Sequence, residues 1–227
     1  MEEPEGERSV TQVGDMTVDE EDYNNVLPVV QMIYDYFQNA AQDEDVMEDE
    51  EAEGWVPPTL KEVFEKTVNT KNSDSSNRVI TFCFDWEGYN VPESVWDFVN
   101  DQISFLPESI SLLDALEYLQ FSDTWGGIPS LPGNISNLKN LKELNVSHIG
   151  LEQLPEDLGA LVSLKKLNLQ SNSNLHQLPG AFPPHLEDLD LLDCEVGALS
   201  ESVCSLVYLK KLAISFLHLR FAQSRNT

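Results

Sequence analysis

The residue types that perform most protein chemistry are scarce in this chain, and their spacing matches no ligand or nucleophile pattern. The histidines are His148, His176, His185 and His218, and the cysteines are Cys83, Cys194 and Cys204. The histidines lack the spacing of metal ligands. The cysteines are odd in number and form no C-x-x-C pair, which favours a reducing compartment over a disulfide framework. We therefore expect no metal site, no cofactor and no enzymatic activity.

Two short stretches look like ligand loops, but each lacks a required feature. Gly126-Gly127 is not followed by the helix N-terminus that a phosphate loop needs, and the chain contains no G-x-x-x-x-G-K-[ST] sequence. Asp43-Glu44-Asp45 begins like a calcium loop, but Glu48 occupies the position of the turn glycine. We interpret the first stretch as a turn and the second as part of an acidic run.

The charge of the chain is concentrated near its N-terminus. The formal net charge is −27 over 227 residues, and residues 1–58 hold 18 of the 40 acidic residues with a single base, Arg8. This asymmetry predicts an acidic, mostly disordered segment over residues 1–77, with residues 1–25 wholly disordered. It disfavours nucleic acid and anionic membrane as partners. The segment either only solubilises the protein or binds a basic protein, histones included.

Two short helices are predicted within this segment. The first lies near 27–42, where apolar residues recur at helical spacing after Pro28, which is tolerated in a first turn. Its apolar residues are Val29, Met32, Ile33, Tyr36 and Phe37. The second lies near 59–68, where Thr59 and Glu62 have the spacing of a capping box.

A second domain is predicted over residues 78–227. Val79–Phe84 is β-branched and aromatic, which indicates a strand. This strand and the region of Trp96 and Phe98 form a predicted capping region, 78–105, ahead of repeats over 106–219. The chain continues only briefly beyond the last predicted strand, so the final sheet edge is covered by the last residues, covered by a partner, or left by truncation.

The strongest signal is a repeat of L-x-x-L-x-L. Its first leucines are Leu116, Leu141, Leu164, Leu186 and Leu209, at spacings of 25, 23, 22 and 23 residues. The alternate apolar residues that follow suit one face of a strand, and a second apolar group suits a return turn. One such coil cannot bury its leucines alone, so stacked coils share a core and pair their strands in parallel.

These residues resemble the leucine-rich-repeat superfamily. The Leu-Pro pairs at 131–132, 154–155 and 178–179 resemble its intracellular class, which includes plant Ras-group-related proteins and the repeats of resistance proteins. The resemblance covers about residues 106–219. It implies an α/β leucine-rich-repeat solenoid with a short curved parallel sheet of about five repeats. It further implies a non-catalytic module, in signalling or defence, whose concave sheet binds another protein.

One position departs from the family pattern. The resemblance implies an asparagine nine residues into each repeat, where the amide satisfies backbone groups of the turn. The residues at that position are Thr124, Ile149, Asn172, Cys194 and Leu217. We expect Thr124 and Cys194 to substitute in part and the remaining turns to be satisfied by neighbours or water.

A partner is expected on the residues that alternate with the buried leucines. The third-position row is Tyr118, Glu143, Lys166, Asp188 and Lys211, and the fifth-position row is Gln120, Asn145, Asn168, Asp190 and Ala213. Hot spots favour tyrosine, so Tyr118 is the predicted anchor, with Lys166 and Asp190 setting the electrostatic fit. The predicted partner-binding residues are these nine polar side chains, and the partner's identity is open. The alternative is a solvated sheet face without a partner.

Two further hypotheses concern the N-terminal segment. Leu27–Phe37 resembles the opening helix of an F-box, which would make the chain a ubiquitin-ligase substrate adaptor, although the acidic run from Asp43 replaces the later helices. In the second hypothesis, the acidic segment lies along a group of lysines on the solenoid and masks that surface. These lysines are Lys142, Lys165, Lys166, Lys210 and Lys211.

Targeting signals are absent from the sequence as given. The first residues have neither a basic region nor an apolar region of a secretory signal, and no apolar run reaches the length of a membrane span. The expected location is intracellular and cytoplasmic, with the nucleus open.

Overall fold

The computed structural model of the 227-residue chain describes residues 9–13, 16–48, 52, 55–70, 79–84, 92, 95, 103–122, 124, 127–197 and 201–215. The N-terminal part contains a two-stranded hairpin followed by three helices. These elements are β1 (Val10–Val13), β2 (Met16–Asp19), α1 (Glu20–Ala40), α2 (Glu44–Met47) and α3 (Leu60–Thr67).

The rest of the described chain is built around one seven-stranded sheet, in which the strands follow their order in the sequence. Its strands are β3 (Val68–Thr70), β4 (Val79–Phe84), β5 (Tyr118–Phe121), β6 (Glu143–Asn145), β7 (Lys166–Asn168), β8 (Asp188–Leu191) and β9 (Lys211–Ile214). The return segments contain 3₁₀ turns at Glu108–Leu112, Ile135–Asn137 and Leu158–Ala160 and one helical turn, α4 (Glu201–Cys204).

Six strands, β4 to β9, pair in parallel, and the five predicted repeat strands are in register. Leu119 pairs with Leu144, Leu144 with Leu167, Leu167 with Leu189, and Leu189 with Leu212. The first four of these leucines are at most 2 % exposed and share one apolar core with the return segments. The predicted α/β solenoid with a parallel sheet is confirmed. Leu212, in the last strand, is 37 % exposed.

The N-terminal segment differs from the expectation of disorder wherever the structure describes it. Strands β1 and β2 pair antiparallel, and α1 begins at Glu20 rather than near residue 27. The Asp19 side chain caps the helix by accepting hydrogen bonds from the N–H groups of Glu21 and Asp22. Pro28 therefore lies in the helix interior instead of its first turn, so the expected start was wrong. Residues 1–8 lie outside the described residues.

Helix α1 is ordered because its apolar stripe has a surface to pack against. Val29, Ile33 and Phe37 are fully buried in the core cluster that continues into the solenoid. Rings from α3 and from the preceding loop close over the helix. Tyr23 lies 5.6 Å from Phe64, and Phe37 lies 6.3 Å from Trp55, between ring centroids. The burial of this stripe offsets the conformational entropy that the segment loses when it folds, which acidic residues alone do not offset.

Helix α3 matches its prediction. It runs over Leu60–Thr67, and the Thr59 hydroxyl accepts from the Glu62 N–H while the Glu62 carboxylate accepts from the Thr59 N–H. The hydrogen bonds that the Glu62 carboxylate accepts from the Thr59 N–H and the Thr59 hydroxyl lower the pKa of Glu62, because they stabilise its charged form.

The predicted strand Val79–Phe84 is confirmed, and it begins the parallel sheet. Its outer edge is covered by β3, which pairs with it antiparallel. The buried carboxylate of Asp22 in α1 accepts a hydrogen bond from the Val79 N–H at 2.7 Å, which ties the helix to the sheet edge. The other predicted capping residues, Trp96 and Phe98, lie outside the described residues.

The turns after β6, β7 and β8 share one backbone conformation but differ in the hydrogen bonds that satisfy their polar groups. His148, Ser171 and Asp193 occupy equivalent positions, and all have φ of 55° to 57°. The residue that follows each of them is the one compared with the family asparagine. This left-handed residue turns the chain after β6, β7 and β8.

Asn172 performs the expected role for two coils at once. Its buried Oδ1 accepts from the N–H groups of Ile149 at 3.3 Å and Leu151 at 2.9 Å, in the preceding coil. Its Nδ2 donates to the carbonyls of Val146 and Leu169 at 2.9 and 2.7 Å. The isoleucine turn is thus satisfied by its neighbour, as predicted.

The other two substitutions diverge. The thiol of Cys194 donates to the Leu169 carbonyl at 3.1 Å, as expected of a partial substitute. Burial raises the pKa of Cys194 to about 11, so the thiol keeps its proton at neutral pH. The Thr124 hydroxyl is buried without a hydrogen-bond partner among the described residues, so its predicted role was wrong. Leu217 lies outside the described residues.

Candidate protein-binding face

The parallel register places both predicted rows on one face of the sheet. In each strand these side chains are exposed or half-buried, while the residues between them are buried from β5 to β8. Residues at equivalent positions are paired across every strand boundary from Tyr118 to Lys211 and from Gln120 to Ala213. Side chains of one row therefore lie one strand spacing apart, about 5 Å. The structure brings all nine predicted partner-binding residues onto this outward face.

The third-position row is organised by ion pairs. The Lys166 Nζ lies 2.7 Å from the Glu143 Oε1, and the Lys211 Nζ lies 3.5 Å from the Asp188 Oδ2. The hydrogen bond with Glu143 raises the pKa of Lys166, because it stabilises the ammonium form. Lys166 and Lys211 are thus held in place by acids of the preceding strand. These exposed pairs order the face more than they stabilise the fold.

Tyr118 stands at one end of this row. It is 38 % exposed, and its register neighbours are Thr81 on β4 and Glu143 on β6. It is the aromatic member of the outward rows, as predicted. A tyrosine anchored on a strand offers a large contact area at a low cost in conformational entropy.

The fifth-position row has a structural role that the sequence analysis missed. The Oδ1 atoms of Asn145, Asn168 and Asp190 accept from the backbone N–H two residues on, at 3.2, 3.0 and 3.0 Å. Each side chain therefore closes its own strand into the following turn. The signal was present in the sequence, because short Asx side chains recur at this position in three consecutive repeats. Gln120 instead donates to the Ser122 hydroxyl at 3.3 Å.

A third row, one residue before the third position, carries Lys142, Lys165 and Lys210. The Lys142 Nζ lies 2.6 Å from Glu117, and Glu187 lies 2.6 Å from Lys210 and 3.4 Å from Lys165. The hydrogen bonds from Lys210 and then Lys165 lower the pKa of Glu187. The lysines considered as a docking surface for the acidic segment are therefore each paired with an acid of an adjacent coil.

The described residues contain no group of three or more His, Cys, Asp or Glu side chains placed to hold a metal ion. Within the same residues, no helix has both the length and the apolar character needed to cross a bilayer. The three cysteines are all free thiols, with Cys194 buried and Cys204 exposed.

The sequence comparisons with known proteins each cover about half of this chain. No family model matches the chain. A stretch of 116 residues is 34 % identical to the adenylate cyclase of Schizosaccharomyces pombe, covering 51 % of this chain and 7 % of that protein. A stretch of 106 residues is 37 % identical to TMV resistance protein N of Nicotiana glutinosa, covering 44 % of this chain and 9 % of that protein. The chain thus spans less than a tenth of the relatives it matches.

The fold comparison is broader. The leucine-rich-repeat ectodomain of the receptor kinase SOBIR1 from Arabidopsis thaliana aligns over 91 % of this chain and 98 % of its own length. The TM-score is 0.51 at 16 % identity, which establishes a shared fold. This chain has a leucine-rich-repeat fold. The leucine-rich-repeat fold predicted from the leucine spacing is confirmed.

The leucine-rich-repeat domain uses the helix that the sequence analysis compared with an F-box. Within Leu27–Phe37, the side chains of Val29, Val30, Ile33 and Phe37 are fully buried against the solenoid. They form the front cover of the domain, so this apolar surface is occupied within the chain.

Proposed function

We propose that the chain is a non-catalytic interaction module that binds a protein partner through the concave, outward face of its leucine-rich-repeat sheet. The observation that carries this proposal is the unbroken register from β5 to β9, which turns single outward residues into two continuous polar rows. A rigid, solvated sheet face with its side chains held in place is suited to binding a macromolecule, because little entropy is lost when it binds.

Within this face, Tyr118 is the proposed anchor and Lys166 and Asp190 set the electrostatic fit. The role of Tyr118 as anchor is supported by its exposed aromatic ring, which lies on the strand next to the ordered ion pair of Glu143 and Lys166. Glu143, Asp188 and Lys211 extend the charge pattern along the same row. Asn145 and Asn168 use Oδ1 for their turn hydrogen bonds, so each contributes polar contacts through its amide NH₂ group. Gln120 extends the same row by one strand.

We place the module in signalling or defence within the cell. The support is the 37 % identity over 106 residues to a protein named for resistance to a virus, together with the Leu-Pro pairs and three free thiols. The match to an adenylate cyclase covers 7 % of that enzyme, so it supports a shared repeat stretch and not a shared reaction.

The test is affinity capture with the full chain as bait, read by quantitative mass spectrometry. We expect a specific set of proteins captured by the wild type to be lost with Tyr118→Ala. We expect the same loss with the double variant Glu143→Lys/Lys166→Glu, which keeps the ion pair but reverses its direction. Capture by both variants at wild-type levels would overturn the proposal.

Two matched controls remove similar groups away from the outward rows. Val162→Ala truncates an apolar side chain that is 49 % exposed in a return segment, and Lys139→Glu reverses an exposed charge whose Nζ donates to the Ala160 carbonyl. Both variants should capture the wild-type set. Loss of capture in these controls would place the binding surface elsewhere on the domain.

A further inference from the structure

The fifth-position row contains one carboxylate, that of Asp190. Asn145, Asn168 and Asp190 each use Oδ1 to accept the backbone N–H two residues on, at 3.2, 3.0 and 3.0 Å. Asparagine makes this hydrogen bond after β6 and β7, and aspartate makes the same hydrogen bond after β8. The turn after β8 could therefore be closed by an asparagine, so the turn does not explain the negative charge of Asp190.

That charge is not neutralised within the described part of the chain. The Oδ1 of Asp190 is used in its turn, and its Oδ2 has no hydrogen bond or ion pair among the described residues. The lysines of the third-position row are engaged elsewhere. Lys166 lies 2.7 Å from Glu143, and Lys211 lies 3.5 Å from Asp188. These two lysines and two acids cancel, so Asp190 gives the two outward rows a formal charge of −1.

The surrounding elements leave the neighbourhood of Asp190 acidic. The row one residue before the third position contains three lysines and two acids, Lys142, Lys165, Lys210, Glu117 and Glu187. Its excess of one positive charge lies three residues from the fifth position, about 10 Å along the strand, which is about one Debye length. The turns that follow β6, β7 and β8, as far as residues 151, 174 and 196, contain no lysine or arginine, and they add the exposed acids Asp193 and Glu195. A cationic group is therefore attracted to this end of the face.

The neighbours of Asp190 suit a long cationic side chain. Its register partner on β9 is Ala213, which has the smallest side chain of the fifth-position row. Leu192, two residues after Asp190, is half-buried on the same face. A methyl group and a partly exposed leucine offer apolar surface to the alkyl stem of a lysine or arginine, whose charged end then lies within reach of the Asp190 Oδ2.

We propose that Asp190 accepts a basic side chain, lysine or arginine, from the protein that binds the concave face. The cation pairs with the Asp190 Oδ2, and its alkyl stem packs on Ala213 and Leu192. The NH₂ groups of Asn145 and Asn168 donate to acceptor groups of the same partner. This inference rests on the proposed concave-face function and adds the chemical class of the group that the partner presents.

The first experiment titrates the isotope-labelled full chain with N-acetyl-arginine amide and follows backbone N–H resonances by NMR. The Leu192 N–H, which donates to Asp190, should shift saturably, and the binding should weaken as salt is added. The equivalent N–H groups of Ser147 and Gln170, each bonded to an asparagine, are internal references and should shift less. N-acetyl-citrulline amide has a similar shape without the charge, so it should bind about threefold to fivefold more weakly.

Variants of the chain test the placement of the charge. Asp190→Asn should remove the Leu192 response while the urea midpoint stays at or above that of the wild type, because the turn hydrogen bond is kept and an unpaired charge is lost. The exchange Asn168→Asp/Asp190→Asn keeps the net charge and should also remove the response. The matched control is Glu195→Gln, which removes an exposed carboxylate from the neighbouring turn and should leave the response unchanged.

A third experiment connects this subsite to the partner. Among the proteins captured by the wild type and lost with Tyr118→Ala, capture should fall about threefold to tenfold with Asp190→Asn. If capture is lost with Tyr118→Ala but kept with Asp190→Asn, the concave-face function stands and the basic subsite is overturned. Capture kept with both variants would overturn both proposals.

Three further results would overturn the basic subsite. Equal shifts of the Leu192, Ser147 and Gln170 N–H groups would show a general attraction of arginine to an acidic chain. A Leu192 response kept in Asp190→Asn or in the exchange variant would place the cation elsewhere. A urea midpoint of Asp190→Asn below that of the wild type would make the carboxylate a structural group of its own turn.

Discussion

The two ends of the solenoid differ in how completely their apolar core is covered. At the front, β4 has its outer edge paired with β3, and α1 covers the core with Phe37 and its neighbours. At the back, β9 is the last described strand, and Leu212 is 37 % exposed where Leu119 in the first repeat is 2 % exposed. The repeats bury one another's leucines in the middle of the domain. At the front, residues outside the repeats, in α1 and β3, cover the core.

This difference predicts an uneven distribution of stability. In a solenoid each coil is stabilised by its neighbours, so a coil with one neighbour has fewer stabilising contacts than a coil with two. The front coil has α1 and β3 in place of a neighbour, and the Asp22 carboxylate satisfies the Val79 N–H. In the back coil, Leu212 is 37 % exposed, so part of its apolar surface is in contact with water. Local opening should therefore begin at β9 rather than at β4.

The largest expected effect comes from truncating the front cover. Phe37→Ala removes a fully buried ring from α1 and should lower the free energy of unfolding by about 3–5 kcal/mol. Leu212→Ala removes a side chain from β9, the last described strand, and should lower the free energy of unfolding by about 1 kcal/mol. The effect is smaller because part of the Leu212 surface is already in contact with water. Urea unfolding followed by circular dichroism measures both.

The matched control for this comparison is Leu189→Ala, which truncates the fully buried equivalent of Leu212 one strand earlier. It should cost about 2–5 kcal/mol. If Leu212→Ala costs as much as Leu189→Ala, the back of the domain is as well packed as its interior, and the contrast between the two ends is wrong.

The sequence predicted the middle of the molecule better than its ends. Leucine spacing determined the register, because a parallel stack leaves only one alignment that buries Leu144, Leu167 and Leu189 together. The front was misjudged because acidic composition was weighed more heavily than apolar periodicity. Asp19 is a good N-cap residue and Val26 extends the apolar stripe, so both indicate a helix that starts near residue 20. The prediction placed the start near residue 27 because Pro28 was interpreted as a first-turn residue.

The outward rows were predicted as positions but not as interactions. A lysine following an acid at the same position in the next repeat, as in Glu143 and Lys166, becomes an ion pair only once the copies are stacked. The turn hydrogen bonds of Asn145 and Asn168 depend on side-chain geometry that spacing does not specify. The front cover depends on contacts between residues far apart in the chain, such as Asp22 with Val79.

The second prediction concerns the interior that connects the two ends. Asn172→Ala removes an amide that satisfies backbone groups of two coils, and the buried groups left behind should cost about 2–4 kcal/mol. Hydrogen exchange should rise at the N–H groups of Ile149 and Leu151. The control is Thr124→Val, at the equivalent position nearer the front. Its hydroxyl has no partner among the described residues, so this change should be neutral or stabilising by up to about 1 kcal/mol. Similar losses in both variants would contradict the assigned roles of these turns.

The last prediction tests whether the front cover is one continuous helix. Pro28 lies inside α1 and is exposed, so it removes an intrahelical hydrogen bond without contributing to the core. Pro28→Ala should stabilise the chain by about 2 kcal/mol, because proline costs about 3 kcal/mol in a helix interior and returns less than 1 kcal/mol by restricting the unfolded chain. Helical ellipticity should rise slightly, and Asn39→Ala, at another exposed position of α1, should change stability by less than about 0.7 kcal/mol. If Pro28→Ala destabilises the chain, the helix begins at the proline. The hairpin and first turns of α1 would then contribute little to the front cover, and the two ends would be more alike than the structure indicates.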